Sequence, residues 1–167
     1  MIRKAVKEDA TTLASLIVRG WQNAYRGLIE DDFLDNMDEK DSIERWESVI
    51  ESQSDKSQIY VYEDNGSILG VIKYGKPEDT KIEKYNAEIQ ILYVEPNFKG
   101  KGIGTKLFNI AKDFFIKNNM NNLIIWCLKG NEKSIGFYKK MGGNIVLERK
   151  SVVHKIEVNE VGLEYKF

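Results

Sequence analysis

Cysteine, histidine and proline are nearly missing from this 167-residue chain, which has one, one and two of them. With Cys127 alone, no internal disulfide can form, so packing and hydrogen bonds must hold the fold, and a reducing, cytoplasmic setting is expected. His154 has no Cys or His at ligand spacing, so no metal site is expected. Long apolar runs are missing too. The longest, Leu123 to Leu128, falls far short of the roughly 20 residues that span a bilayer. The opening Met-Ile-Arg-Lys passes into polar, alternating sequence without the apolar region of a secretory signal, so no membrane partner is expected. Nor is there a surplus of either charge: 25 basic side chains face 26 acidic ones. That balance argues against a general nucleic-acid binder.

What is present is an ordinary globular composition, 42% hydrophobic and 31% charged, in a length suited to one domain over residues 1–167. The charges are segregated. Residues 30–64 hold thirteen acidic and three basic side chains, and residues 97–150 hold eleven basic and three acidic. A cleft of one sign concentrates ligands of the other, so the second half suits a polyanion and the first suits a cationic amine, unless both are simply solvated faces.

Ile2 to Val6 alternates as a strand. Leu13, Leu16, Ile17, Trp21 and Tyr25 then recur at helical steps, with no good N-cap at position 6 or 7. Asp41 to Ile50 predicts a second helix with Ile43, Trp46, Val49 and Ile50 inward. Gln58–Glu63 and Ser67–Tyr74 flank Asn65-Gly66, a strong hairpin signal, and the polar stretch from Pro77 to Lys84 reads as a loop. Glu88 to Val94 is apolar and β-prone, and Pro96 stops it. Asn122 to Leu128 is apolar on both faces, as expected of a buried strand lying parallel to the preceding one across a helical crossover. Cys127 inside that run reads as core rather than nucleophile. Glu132 to Met141 is a short helix with Asn131 as N-cap, and strands over about 144–154 and 157–167 close the chain around a turn at Lys155 and Ile156.

Between the strand ending at Val94 and a helix beginning at Ile103 lies Lys99-Gly-Lys-Gly-Ile-Gly104. The helical stripe is Ile103, Leu107, Ile110, Ala111, Phe114 and Phe115. Glycines that open a helix leave backbone N–H groups exposed beside the positive end of the helix dipole, which makes an anion site, most simply for phosphate. The ATP loop requires Lys-Ser/Thr directly after its last glycine, and the dinucleotide fingerprint requires a third glycine that this spacing does not supply. Both fail.

The spacing resembles the acetyl-CoA loop of the GNAT N-acetyltransferases, Gln/Arg-x-x-Gly-x-Gly/Ala, with Lys99, Gly102 and Gly104 in its positions. Asn131-Glu-Lys-Ser-Ile-Gly-Phe-Tyr-Lys-Lys-Met-Gly142 resembles that family's second motif, with Asn131, Phe137, Tyr138 and Gly142 matching. Trp21 to Leu34 resembles the acceptor-side helix and loop. The resemblance implies a mixed α/β fold, with a mostly antiparallel sheet of six or seven strands, a splayed parallel pair at its centre and about four helices. It implies an acyltransferase carrying acetyl from acetyl-CoA to a primary amine, through direct attack in a ternary complex and without metal. Backbone groups of Leu92, Tyr93 and Val94 are then expected along the pantetheine arm. Lys99, Gly100, Lys101, Gly102, Ile103, Gly104 and Thr105 would hold the pyrophosphate, and Asn131 and Tyr138 would meet the cofactor from the second motif.

Tyr138 is the expected general acid for the departing thiolate, with a packed core tyrosine as the alternative. Glu88 stands where one branch of the family has its base, and a carboxylate in an apolar strand should have a raised pKa; an ion-paired structural role is the alternative, and ordered water the alternative base. Trp21, Tyr25 and Arg26 are candidate acceptor contacts. The expected acceptor is a small, polyamine-like amine. A protein N-terminus or lysine and a non-catalytic CoA-binding domain are the rival readings, and a homodimer is in keeping with the family.

Overall fold

The structure is a computed structural model and describes residues 1–54, 56–79 and 81–167. Strand β1 (Ile2–Lys4) leads through a 3-10 turn into helix α1 (Ala10–Ala24), followed by α2 (Asp31–Asp35), α3 (Glu39–Glu51), β2 (Ser57–Asp64) and β3 (Ser67–Gly75). The central unit is β4 (Ala87–Val94), α4 (Ile103–Lys117) and β5 (Asn122–Leu128). Helix α5 (Glu132–Lys140) then precedes the closing hairpin of β6 (Asn144–Val153) and β7 (Ile156–Lys166). The described strands form one seven-stranded sheet in the order β1-β2-β3-β4-β5-β7-β6. Among these described strands only β4 and β5 run parallel. This is the mixed α/β sheet with a central parallel pair that the resemblance implied.

Local chemistry accounts for the element ends. With no capping side chain at position 6 or 7, Asp9 reaches back to accept the Val6 N–H at 2.9 Å and is gripped by Arg3 at 2.7 and 3.0 Å. In the first hairpin, Asn65 and Gly66 have φ of +48° and +76°, the left-handed pair that matches strand twist across a two-residue turn. The last hairpin turns at His154 and Lys155, φ +49° and +67°, one residue earlier than expected. Ile156 pairs with Val153, and neither turn residue is of the glycine or asparagine type that announces such a turn. Helix α2 was hidden in the acidic stretch, being too short to show a period.

The sheet is packed on both faces. Ile72, Tyr74, Ile89, Leu107, Phe108 and Phe115 belong to the core under α4 and α5, and Leu13, Leu16, Trp46, Ile59, Val61 and Val71 to the core under α1 and α3. Two irregularities in β4 position the site. Tyr74 pairs with Ile89 but Lys73 pairs with Ile91, so Gln90 is an extra residue, a bulge. A bulge resets alternation. Ala87 and Ile89 therefore belong to the α4 side and Ile91 and Tyr93 to the α1 side. Along β5, pairing with β4 among the described residues is confined to Ala87↔Leu123 and Glu88↔Ile124. Beyond Glu88 the two strands part and leave a wedge.

Candidate active site

On one side of the wedge lies the glycine loop. Gly100 and Gly102 have φ of +80° and +79°, conformations that a Cβ disfavours. Gly102 is the N-cap of α4, and no side chain among the described residues caps that end. The first N–H groups of a 15-residue helix therefore face outward with its dipole. Gly104 packs beneath Phe137 of α5, whose Cζ would lie 3.4 Å from an added Cβ. Lys99 Nζ donates to Asn23 Oδ1 at 3.2 Å. Its pKa is lowered, first by partial burial and then by the neighbouring charge of Lys133. Two lysines brought together at an uncapped helix start fit an anion with several charges. Asn131 is buried, and its Oδ1 accepts the Ser134 N–H at 3.3 Å, which caps α5. Lys101 extends instead over the ring of Phe98, 4.5 Å from its centroid.

At the wedge itself, Leu92 to Val94 pair with β3 on one side, and beyond Glu88 the β5 side is open among the described residues. An exposed strand edge of this kind accepts an extended ligand as an added strand. Tyr25 Oη and Tyr93 Oη are 2.9 Å apart. Burial pushes Tyr25 up to about 12 and lifts Tyr93 and Tyr138 well above the ordinary phenol value, with the nearby Cys127 thiol adding to each. All three phenols thus stay protonated at neutral pH and can serve as donors. The Cys127 thiol is itself pushed up to about 12, mainly by burial, which removes it as a nucleophile.

Across the sheet a cavity of about 520 Å³ opens between α1, α3 and strands β4, β5 and β6. Trp21 and Tyr25 line it, and Glu88 and Tyr93 lie along its β4 wall. Glu88 is 7% exposed and accepts the Glu78 N–H at 2.8 Å. Its pKa is raised, first by desolvation; the Glu78 N–H and the charges of Arg149 and Lys73 oppose the rise, and the Glu78 carboxylate adds to it. Opposite, the Arg149 guanidinium lies 3.9 Å from the ring centroid of Trp126 and bonds Glu160 at 2.7 Å. At the mouth, His154 packs edge-on to Trp21 with centroids 5.3 Å apart, and Arg45 reaches its ring nitrogens at 3.3 and 3.4 Å. Arg26, expected at the acceptor, lies outside the lining; Asp35 at 2.8 Å and Asp31 at 3.3 Å hold it on the surface.

Several of these residues were not foreseen. The side chain of Tyr93 enters the acceptor side only because of the bulge at Gln90, and a bulge leaves no trace in an apolar run. Arg149, Glu160 and Trp126 meet only through the β5-β7-β6 register, which sequence spacing does not encode. His154 is carried to Trp21 by a hairpin turn without a turn signal. The proximity of Lys133 to Lys99 would follow only from docking α5 against the loop.

Fold and site together define a group-transfer enzyme, with a glycine loop at an uncapped helix start on one face of a split sheet and a cavity on the other. Residues 20–143 match the Acetyltransferase (GNAT) family, and the chain belongs to that family. It is 25% identical over 162 residues to an uncharacterized N-acetyltransferase of Bacillus subtilis, covering 97% of this chain and 90% of that one. It is 26% identical over 145 residues to a spermidine N(1)-acetyltransferase of Thermoplasma acidophilum, covering 84% and 86%. The crystal structure of the PaiA N-acetyltransferase of Thermoplasma acidophilum in complex with coenzyme A superposes with a TM-score of 0.79 at 21% identity, covering 100% of this chain and 98% of that one.

Proposed function

We propose that this enzyme transfers an acetyl group from acetyl-CoA to a primary amine of a small, polyamine-like molecule by direct attack in a ternary complex. The observation that carries this reading is Glu88, a buried carboxylate of raised pKa on the wall of the cavity, at the last β4 residue paired with β5 among the described residues. The charge of the cavity supports a cationic acceptor. Glu78 is matched by Lys73 and Glu160 by Arg149, which leaves Arg45 against Asp38, Asp41 and Glu88 on the lining. Trp21, Tyr25, Phe33 and Trp126 offer apolar and π surface to the methylenes and ammonium groups of such a molecule. Similarity to a spermidine acetyltransferase points the same way.

Acetyl-CoA supplies a thioester carbonyl. The open edge of Leu92, Tyr93 and Val94 aligns the arm that carries it, while Gly100 to Thr105, with Lys99 and Lys133, take the phosphates and Asn131 and Phe137 close the cofactor side. At the acceptor end, Trp21 and Tyr25 orient the amine. An ammonium with a pKa of about 10.4 must lose a proton before it attacks, and Glu88 takes that proton directly or through water. As nitrogen bonds to the carbonyl carbon and the carbon–sulfur bond breaks, Tyr138 gives its phenol proton to the departing sulfur, and the second proton that nitrogen sheds on becoming an amide restores the phenol through water.

The test is release of CoA thiol by the purified protein with acetyl-CoA and a panel of amines: spermidine, a diamine, amino acids and peptides with free N-termini or lysines. The highest kcat/KM is expected with the polyamine. Preference for peptides would transfer the assignment to protein acceptors. CoA binding without release on any amine would leave a non-catalytic CoA domain.

A further inference from the structure

Tyr93, on the β4 wall, is held at both ends. Its ring lies against α1 at Gly20, where an added Cβ would come within 2.7 Å of Cδ1 and 3.1 Å of Cε1. Any side chain at position 20 would displace the ring. At its other end the hydroxyl is joined to Tyr25 Oη at 2.9 Å. Tyr25 in turn stands edge-on to Trp21, with centroids 4.9 Å apart, and Trp21 is braced by His154. Both rings are therefore backed by structure on the side to which they would have to retreat.

Their position matters as much as their rigidity. Counting on from Ala87↔Leu123, and allowing one residue for the bulge at Gln90, Tyr93 stands at the level of Leu128. Leu128 belongs to the cluster in which Tyr25 packs. Cys127 and Tyr138 belong to the cluster on the opposite face. The linked phenols therefore span the wedge on its acceptor side, opposite the residues that border its cofactor side. An acyl group passing from one face to the other meets them.

We propose that the Tyr25–Tyr93 pair is an acyl-chain stop, which admits acetyl and rejects longer acyl groups. This rests on the acetyl-CoA reading above and specifies the donor that it takes. Each further methylene needs volume that these rings occupy, and rings seated on Gly20 and against Trp21 do not yield it without strain. Smaller residues at either position would open that volume. Loss of the hydrogen bond alone would loosen it, because the Tyr93 ring would keep its seat on Gly20 while Tyr25 would be held by Trp21 alone.

The test compares acetyl-, propionyl- and butyryl-CoA by calorimetric binding to the whole protein, and by kcat/KM with whichever amine the panel identifies. The wild type is expected to favour acetyl-CoA over butyryl-CoA at least tenfold. Tyr25→Ala is expected to shrink that ratio at least fivefold, and Tyr93→Phe to shrink it about twofold. If Tyr25→Ala does not fold, Tyr25→Leu replaces it, with the melting temperature as the check. Because the readout is a ratio between donors, a variant that is merely less stable leaves it unchanged. Equal use of all three donors by the wild type overturns the proposal, as does an unchanged ratio in folded Tyr25 and Tyr93 variants. Failure to bind any acyl-CoA overturns the acetyl-CoA reading itself, an outcome distinct from binding all three alike.

Discussion

Glu88 and Tyr138 are perturbed in the same direction by the same cause, yet the consequence is opposite for acid and base. Desolvation disfavours the charged form, so Glu88 holds its proton to higher pH than an ordinary carboxylate. As the proposed base it would work only once that proton is lost. The acidic limb of kcat/KM should therefore lie above the usual carboxylate range, with activity rising as pH rises through it. Glu88→Gln should lower kcat about 100-fold and abolish that limb. A variant that keeps the wild-type limb would remove Glu88 from the mechanism and leave ordered water as the base. For Tyr138, burial keeps the phenol neutral well past physiological pH, the state that a proton donor needs. Tyr138→Phe should cost a similar factor of about 100 in kcat, with the KM for acetyl-CoA little changed, since the ring stays in its cluster. Turnover within twofold of wild type would return Tyr138 to a packing role. The stability effect of Glu88 runs opposite to its catalytic one. A folded-state pKa above the unfolded value means that protonation favours the fold, so Glu88→Gln should raise, not lower, the melting temperature above neutral pH.

The loop before α4 bends at Gly100 and Gly102, and Gly102 offers a clean separation of binding from folding. Gly102→Ala puts a Cβ on a residue at φ +79°, at a cost of about 1–2 kcal/mol, and narrows the approach to the helix N-terminus. It should raise the KM for acetyl-CoA several-fold as well as lower the melting temperature. Gly27, at φ +82° with open space around it, provides the control. Gly27→Ala should carry comparable strain and leave acetyl-CoA binding as it was. Equal KM values for the two variants would mean that the loop holds no phosphate. This loop was legible in the sequence because its chemistry is local: glycines, lysines and a helix period sit side by side. So were the Asn65-Gly66 turn, the strand from Asn122 to Leu128 and the cap at Asn131, each set by a few adjacent residues. The bulge at Gln90, the turn at His154 and the meeting of Arg149, Trp126 and Glu160 were not legible. They depend on which strands pair and in what register, and the residues concerned carry no special type.

Two oppositely charged regions of chain end up on opposite faces of one split sheet, though less tidily than their composition suggested. Of the acidic stretch 30–64, Asp38 and Asp41 line the acceptor cavity, whereas Glu63 is taken up by Arg3 at the far edge and Asp31 and Asp35 hold Arg26. Only part of the acidic surplus therefore lies where a ligand in that cavity would meet it. Of the basic stretch, Lys99 and Lys133 converge on the loop, while Lys129 and Lys150 are paired with Glu148 and Glu157. A donor with several negative charges and an acceptor with several positive ones would each be drawn to a different face. Such attraction weakens as the Debye length falls from about 10 Å at 0.1 M salt toward about 3 Å at 1 M. Raising salt from about 0.05 to 0.5 M should therefore increase the KM for acetyl-CoA and for a polyamine several-fold each, and the KM for a monoamine less. The two responses should also separate. Asp38→Asn combined with Asp41→Asn should flatten the salt dependence for the polyamine and leave that for acetyl-CoA intact, because those carboxylates line the acceptor cavity and Asn at position 38 keeps an oxygen for the Lys40 N–H that Asp38 accepts at 2.8 Å to cap α3. A KM for polyamine that ignores both salt and this double substitution would show that the acceptor is recognised by shape and π contact with Trp21 and Trp126, not by charge.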